Sequence, residues 1–300
     1  KAGYPKRFAV GVITTSGSLG ILIPPSIVMI IYAVSTSTSA GKLFIAGVIP
    51  GILLALVLMG VTFVTAKRRG FPTLPRASAR EIWTSFREAF WGLLLVAIVM
   101  GGIYGGIFTP TEAAAVSAVY SFVAAVFIYR DLRIRDTFRV LLSAANTSAM
   151  LLYIVTNAML FSYLLTSEQI PQAVSEWVTS QDLSPWMFLV AVNVALLAAG
   201  QFMEPSSIVL ILAPLFLPIA QGLGIDPIHL GVIMTVNMEI GMIHPPVGLN
   251  LFVASHLAKM GLTEVSIACL PWVGVMLLYL VLVTYVPQVS LWLPEVLGVR

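Results

Sequence analysis

Two adjacent prolines inside an apolar stretch of membrane-spanning length, present twice, constrain this chain more than any other feature. The stretch GVIMTVNMEIGMIHPPVGLNLFVAS, residues 231–255, is long enough to cross a bilayer, yet Pro245 and Pro246 interrupt it. Each proline removes a backbone donor, and the residue before a proline is pushed out of helical geometry. In hydrocarbon, such a break survives only where protein or a cavity lines it. TTSGSLGILIPPSIVMIIYA, Thr14–Ala33, aligns with TVNMEIGMIHPPVGLNLFVA, Thr235–Ala254, at a constant offset of 221. Thr14/Thr235, Gly20/Gly241, Pro24/Pro245, Pro25/Pro246 and Ala33/Ala254 are identical, and the same offset pairs Gly3 with Gly224 and Pro50 with Pro271. The chain therefore reads as an internal repeat. Paired, interrupted membrane segments in corresponding positions point to the binding site of a secondary transporter.

Composition agrees. Of the 300 residues, 59% are hydrophobic and 10% charged, with a mean hydropathy of +0.98. Soluble chains carry about 25% charged residues, so the apolar runs predict an integral membrane protein. The single cysteine, Cys269, excludes an intramolecular disulfide and any cysteine-based metal site. The net charge of +3 comes from loop clusters and gives no basis for nucleic-acid binding. The chain opens at Lys1 in a basic loop directly before the first break, so an N-terminally truncated chain is expected, with the preceding element missing. No P-loop, nucleotide fingerprint, nucleophile elbow or HExxH pattern is present, so energy must come from an ion gradient. A polytopic membrane enzyme stays open as a different class, although no catalytic grouping is recognisable.

Five stretches are expected. Residues 1–66 hold the first-repeat broken helix and the following transmembrane helix. Residues 67–90 form a cytoplasmic or interfacial connector. Residues 91–166 hold central transmembrane helices, 185–222 a re-entrant hairpin, and 223–300 the second-repeat broken helix and the final transmembrane helix. In the central stretch, Thr109 or Thr111 caps a helix whose first turn contains Pro110 and Glu112. Counting positive charges puts every Lys and Arg except Lys42 and Arg300 on the cytoplasmic side. An acidic loop, Ser167–Pro185, then lies outside. PWMFLVAVNVALLAAG and IVLILAPLFLPIAQGLG are marginal as two full spans. A hairpin with its tip at Gln201–Ser207, entering and leaving on the outer face, makes the second break run opposite to the first. The expected fold is an all-α polytopic membrane protein with inverted repeats, broken helices and a re-entrant hairpin.

A broken helix exposes N–H groups at the start of one half and C=O groups at the end of the other. The first suits a carboxylate and the second suits Na⁺. The polar residues around the gaps are Thr14, Thr15, Ser16, Gly17, Ser18 and Ser26, and then Thr235, Asn237, Glu239, His244 and Asn250. Ser16, Ser18, Ser26, Asn237, His244 and Asn250 are the candidate substrate contacts; for the hydroxyls, satisfying kinked helix backbone is the alternative. Glu204, with Pro205, Ser206 and Ser207, sits at the hairpin tip. For Glu204 and Glu239, cation or proton handling and loop locking both stay open. No histidine cluster supports a transition-metal site.

Five motifs in order, LGILIPPSIVMIIYA, LFIAGVIPG, GGIYGGIFTPTEAAAVSAVY, GQFMEPSSIVLILAP and NMEIGMIHPPVGLNLFVA, resemble the large membrane subunit (permease) of tripartite ATP-independent periplasmic (TRAP) transporters across essentially all 300 residues. The wording FMEPSS and GMIHPPVGLNLFVAS is similar to the C4-dicarboxylate branch, whose substrates are malate, succinate and fumarate. The resemblance implies sodium-coupled, elevator-type uptake of an organic anion across the bacterial cell inner membrane by a multi-pass protein. It implies Na⁺ as coupling ion, no organic cofactor, a small TRAP membrane subunit and a periplasmic solute-binding protein. Family members carry two hairpins, and this sequence matches the second. The carry-over places ion binding at Thr15, Gly17, Gly20 and Pro24 in the first repeat. In the second it places ion binding at Glu204, Ser206, Ser207, Glu239, Gly241 and Pro245. Pro25, Pro246, Pro110 and Glu112 are structural. Without an obvious arginine clamp, a keto acid or sugar acid is the alternative substrate.

Overall fold

Capping residues and prolines set the helix limits. The computed structural model describes residues 3–73, 75–170, 173, 176, 184–246 and 248–298. In chain order these form α1 (Lys6–Ser18), α2 (Ile27–Thr36), α3 (Ala40–Arg68), α4 (Ala79–Tyr104), α5 (Pro110–Val123), α6 (Ile134–Ser167), α7 (Pro185–Gly200), α8 (Pro205–Gly222), α9 (Pro227–Gly241), α10 (Leu249–Ala258), α11 (Leu262–Tyr285) and α12 (Gln288–Val296). No strand occurs among the described residues. Among the described residues, six helices are long and apolar enough to cross a membrane, whereas α2, α7 and α10 are apolar but short. The acidic loop expected at Ser167–Pro185 lies largely outside the described residues. The chain divides into two units, residues 1–72 with 158–300, and residues 73–157.

In the first unit the repeat is visible as matched packing. α1 packs on α11 and α9 on α3; α1 packs on α10 and α9 on α2; α2 packs on α3 and α10 on α11. Each pair maps onto the next under the offset of 221. The directions are opposed. The starts of α3 and α9 share one end, where Thr38, Ser39 and Lys42 line a cleft with Asp226 and Pro227. The Tyr32 hydroxyl also donates to the Pro227 carbonyl there, at 2.7 Å. The end of α3 and the start of α1 share the other end, where Pro5, Arg7 and Phe8 lie with Thr65, Arg69 and the α11 residues Ile267, Pro271 and Trp272. α3, at 29 residues, spans about 44 Å, while α1 and α9 each cover about half of that. They enter from opposite ends and stop midway, as an inverted repeat requires.

The hairpin follows the same geometry. Pro185 and Trp186 at its start and Gln221 and Gly224 at its exit line one cleft with Asp226 and Thr284. Both legs therefore meet the Asp226 end, and the tip reaches the level of the second break. α8 alone is long enough to span, but its partner leg α7, at 16 residues, turns back at Gln201. Glu204 stops the turn: it is the N-cap of α8, with its Oε2 accepting from the Ser207 N–H at 3.1 Å, and Pro205 occupies the first helical position. α7 packs on α9, and α8 packs on α2 and α9.

In the second unit, α4 begins with a capping box, Ser78 N–H donating to Glu81 at 2.6 Å and Glu81 N–H donating to Ser78 Oγ at 3.2 Å. This changes the expected connector. Residues 79–90 are the first turns of α4 and run unbroken into residues 91–104, because the box starts a helix and no proline follows. At the other end of α4, Thr109, not Thr111, caps α5 through a second box with Glu112, and Pro110 takes the first turn. The Tyr120 and Tyr129 hydroxyls donate to the Trp91 and Glu88 carbonyls, both at 2.8 Å, setting α5 antiparallel to α4. Many side chains of this unit are large, apolar and exposed, as expected of helices facing lipid. Beyond the expected final span, α12 adds a short helix packed on α3 and α9.

Candidate functional site

The site is built where the two half-helices stop. After α1, a tight 3-10 turn (Leu19–Ile21) precedes the prolines, and Ser26 restarts the helix. Its hydroxyl donates to the Ile21 carbonyl and accepts from the Met29 N–H, so it closes the first break. After α9, residues 242–246 and 248 form the second break. Here Asn250 N–H donates to the Met242 carbonyl at 2.9 Å and Gly248 N–H to the His244 carbonyl at 3.1 Å. A Cβ on Gly248 would come within 3.0 Å of Met242 and His244 backbone atoms, so this bend requires glycine. In both breaks the bond between the two prolines is cis.

At the meeting point Ser18 Oγ lies 3.4 Å from Glu239 Oε1. These residues are 221 apart, so each touches its own repeat mate, which places the pseudo-twofold axis between them. Glu239 is fully buried, and its Oε2 finds no hydrogen-bond partner among the described residues. A buried carboxylate oxygen without a donor is a costly arrangement and calls for a cation, a proton or water. Ser18 donates to the Thr15 carbonyl at 2.7 Å. Thr14 and Thr15 are buried near Cys269 on α11, and the Thr15 hydroxyl oxygen has no hydrogen-bond partner among the described residues.

The hairpin closes over the second half-helix. A Cβ on Gly241 would lie 2.9 Å from Gly200 Cα, so the two backbones touch with no side chain between them. Met203 and Glu204 at the tip share a small crevice with Met238, Met242 and Leu249. Ser206 donates to Glu204 Oε1 at 2.7 Å, and Ser207 Oγ lies 3.5 Å from Oε2. Glu204 therefore locks the tip through these contacts and the cap, while Glu239 has no comparable set of donors.

Asn237 faces the hairpin leg. Its amide donates to Asn193 Oδ1 at 2.7 Å and to the Ile233 carbonyl at 2.9 Å, while Asn193 donates to Thr284 Oγ1 at 2.9 Å. Both Asn237 N–H bonds are used, which leaves its buried Oδ1 as an acceptor without a partner among the described residues. Among the described residues, no group of three or more His, Cys, Asp and Glu side chains could hold a metal ion. The free oxygens of Glu239 and Asn237 are hard donors, but they lie two residues apart on α9 and face different neighbours, Ser18 on α1 and Asn193 on α7.

Two interrupted, opposed half-helices with a helical hairpin closed on one of them is a transporter's arrangement, and comparison with known proteins decides which. Residues 1–289 match the family described as "Tripartite ATP-independent periplasmic transporter, DctM component". The chain belongs to this family. It is 60% identical to the C4-dicarboxylate TRAP transporter large permease protein DctM of Rhodobacter capsulatus, and 58% identical to that of Pseudomonas aeruginosa. Each of these two alignments covers 99% of this chain and 70% of the relative. It is 38% identical to the sialic acid TRAP transporter large permease protein SiaM of Vibrio cholerae, covering 98% of this chain and 69% of the relative. The DctM component is a multi-pass inner-membrane permease and not an enzyme, which replaces the membrane-enzyme reading.

Within the permease, the candidate residues divide by position. Gly241, Glu204, Ser206 and Ser207 gather around the hairpin and the second break, while Ser18 and Glu239 meet between α1 and α9. Ser16, Gly17, Gly20 and Pro25 are exposed, and Pro24 is buried. Ser16 donates to the Ile13 carbonyl at 3.2 Å, as a hydroxyl satisfying helix backbone does. The repeat mates of Ser16 and Gly20, Asn237 and Gly241, are buried because α7 covers them. His244 Nδ1 lies 2.6 Å from the Pro245 carbonyl, with Pro245 and Asn250 half-buried and Pro246 exposed. Pro110 and Glu112 belong to the second unit's capping box. Asn193 and Thr284 were not among the expected residues. The signal for Asn193 was a lone amide in an otherwise apolar 16-residue run, and such polar groups hold membrane helices together.

Proposed function

We propose that this permease chain carries out sodium-coupled uptake of C4-dicarboxylates such as malate, succinate and fumarate. The substrate is delivered by a periplasmic solute-binding protein, and a small TRAP membrane subunit completes the complex. One observation carries the coupling: the buried Glu239 oxygen, without a donor, lies where two opposed half-helices end. Na⁺ supplies the missing charge at that oxygen and at the carbonyl ends of α1 and α9. The helix starts after the breaks, with Asn250 beside the second, meet the substrate carboxylates, and Ser206 and Ser207 at the hairpin tip belong to the ion region. Binding the ion first makes binding of the dianion favourable, and an elevator-type movement of the unit carries both across. The identity of 58–60% to relatives named for C4-dicarboxylates, against 38% to one named for sialic acid, supports the substrate class. A keto acid or sugar acid is the second reading, favoured by the lack of an arginine clamp at the site.

Reconstituted full-length complex with its binding protein is expected to accumulate succinate only under an inward Na⁺ gradient, with malate and fumarate competing and sialic acid not competing. Initial uptake rates in sodium and in sodium-free buffer check this. Undiminished uptake without sodium would remove the coupling.

A further inference from the structure

We infer that the arginine end of the α4–α5–α6 unit is a binding site for anionic phospholipid headgroups of the leaflet it faces. Residues 73–157 contain seven arginines, at 76, 80, 87, 130, 133, 135 and 139, and no lysine. All seven are exposed, and none has an ion-pair partner among the described residues. Of the four carboxylates at this end, Glu81 is committed to the Ser78 capping box; Glu88, Asp131 and Asp136 are the others.

Geometry brings the arginines together. The bond from Tyr129 to the Glu88 carbonyl sets the turn after α5 beside the second and third turns of α4. Arg130, with φ of 59°, reverses the chain, and Asp131 and Leu132 N–H both return to the Ala125 carbonyl. Arg130 and Arg133 thus lie at the level of Arg87. Along α4, Arg80 and Arg87 form one stripe, and Trp83, Phe86 and Phe90 form the next. The rings of Trp83 and Phe86 stand 5.8 Å apart, and those of Phe86 and Phe90 6.1 Å apart, all exposed.

Charge and depth together select the ligand. α4, at 26 residues, is about 39 Å long, against a hydrocarbon core of about 30 Å. Its charged first turns therefore stand in the headgroup layer, and the aromatic stripe sits at the level where Trp and Phe lie beside glycerol and the first acyl carbons. A need for positive charge alone would be met equally by lysine. The exclusive use of arginine points to phosphate, which the planar guanidinium holds with two parallel hydrogen bonds. A basic cluster beside a transmembrane helix attracts anionic lipid, and positive charge places it on the cytoplasmic side.

The test is native mass spectrometry of the purified full complex, offered equal amounts of phosphatidylglycerol and phosphatidylethanolamine with the same acyl chains. Phosphatidylglycerol is expected to be retained in preference. Arg87→Gln and Arg133→Gln are each expected to lower its occupancy about fivefold, with phosphatidylethanolamine unchanged. Arg→Lys at the same positions is expected to restore occupancy only in part. The thermal melt of each variant, expected to match the parent because both side chains are exposed, separates lost binding from lost folding. Equal retention of the two lipids, or full retention of phosphatidylglycerol by both glutamine variants, would overturn the assignment. Full rescue by lysine would overturn the phosphate fork.

Discussion

Glu239→Gln is expected to cut sodium-driven uptake about ten- to hundred-fold while the complex still assembles. Glutamine has nearly the same shape, so the contact with Ser18 and the packing of α9 persist, and only the charge is lost. Interactions with a charged group contribute about 1.5–3 kcal/mol, which is the stated range of rate. The loss should appear as a higher sodium concentration for half-maximal uptake, and at saturating sodium the parent rate should be approached. Sodium titration of succinate uptake in proteoliposomes checks this. An unchanged rate with an unchanged sodium requirement would remove Glu239 from the ion site and leave it as a packing residue.

Gly241→Leu is expected to abolish transport for a different reason. Gly241 touches Gly200 backbone to backbone, and a side chain there must push the hairpin leg off α9. Overpacking costs about 1–3 kcal/mol where side chains can yield, and here the obstacle is main chain. The displacement also strains the Asn193–Asn237 bond, which joins the same two helices one turn away along α9 and two turns away along α7. Thermal unfolding of the complex and uptake should both fall. Gly60→Ala is the control, since nothing lies within 4 Å of a Cβ at Gly60. Alanine there should be neutral or slightly stabilising by helix propensity.

The parts of this structure legible in the sequence are those written in proline, glycine and caps. The two proline pairs at one offset predict interrupted half-helices, and reading residues 185–222 as a hairpin, together with the positive charges, predicts their opposite directions. The run FMEPSS predicts a hairpin tip because Glu204 can cap and Pro205 can start a helix. Hydropathy misplaces α4, because its first turns carry Arg80, Glu81, Arg87 and Glu88 and read as a connector. Helix continuity there depends on the Ser78 capping box, to which hydropathy is blind. α12 is obscured by Pro287 before it and Pro294 within it, yet its packing on α3 and α9 holds it helical. Which polar residues meet is tertiary information. Ser16 and Asn237 are repeat mates of similar chemistry, but α7 covers only one of them. That Ser18 meets Glu239 is implicit in the offset of 221, since residues on a twofold axis touch their own mates, but locating the axis takes the folded chain.

Opposed entry of the two interrupted helices underlies the proposed mechanism, and sided chemical labelling tests it most directly. Gly222 leaves the hairpin at the Asp226 end, whereas His256 ends the second broken helix near the start of α11 at the other end; both are exposed. Single cysteines at these two positions, in full complex in right-side-out vesicles, would meet a membrane-impermeant maleimide, while the buried Cys269 stays silent. Gly222→Cys is expected to label from the periplasmic side and His256→Cys only once the cytoplasmic face is opened. Labelling of both from the same side would mean that the repeats run parallel, and the shared ion and carboxylate site between their ends could not exist as described.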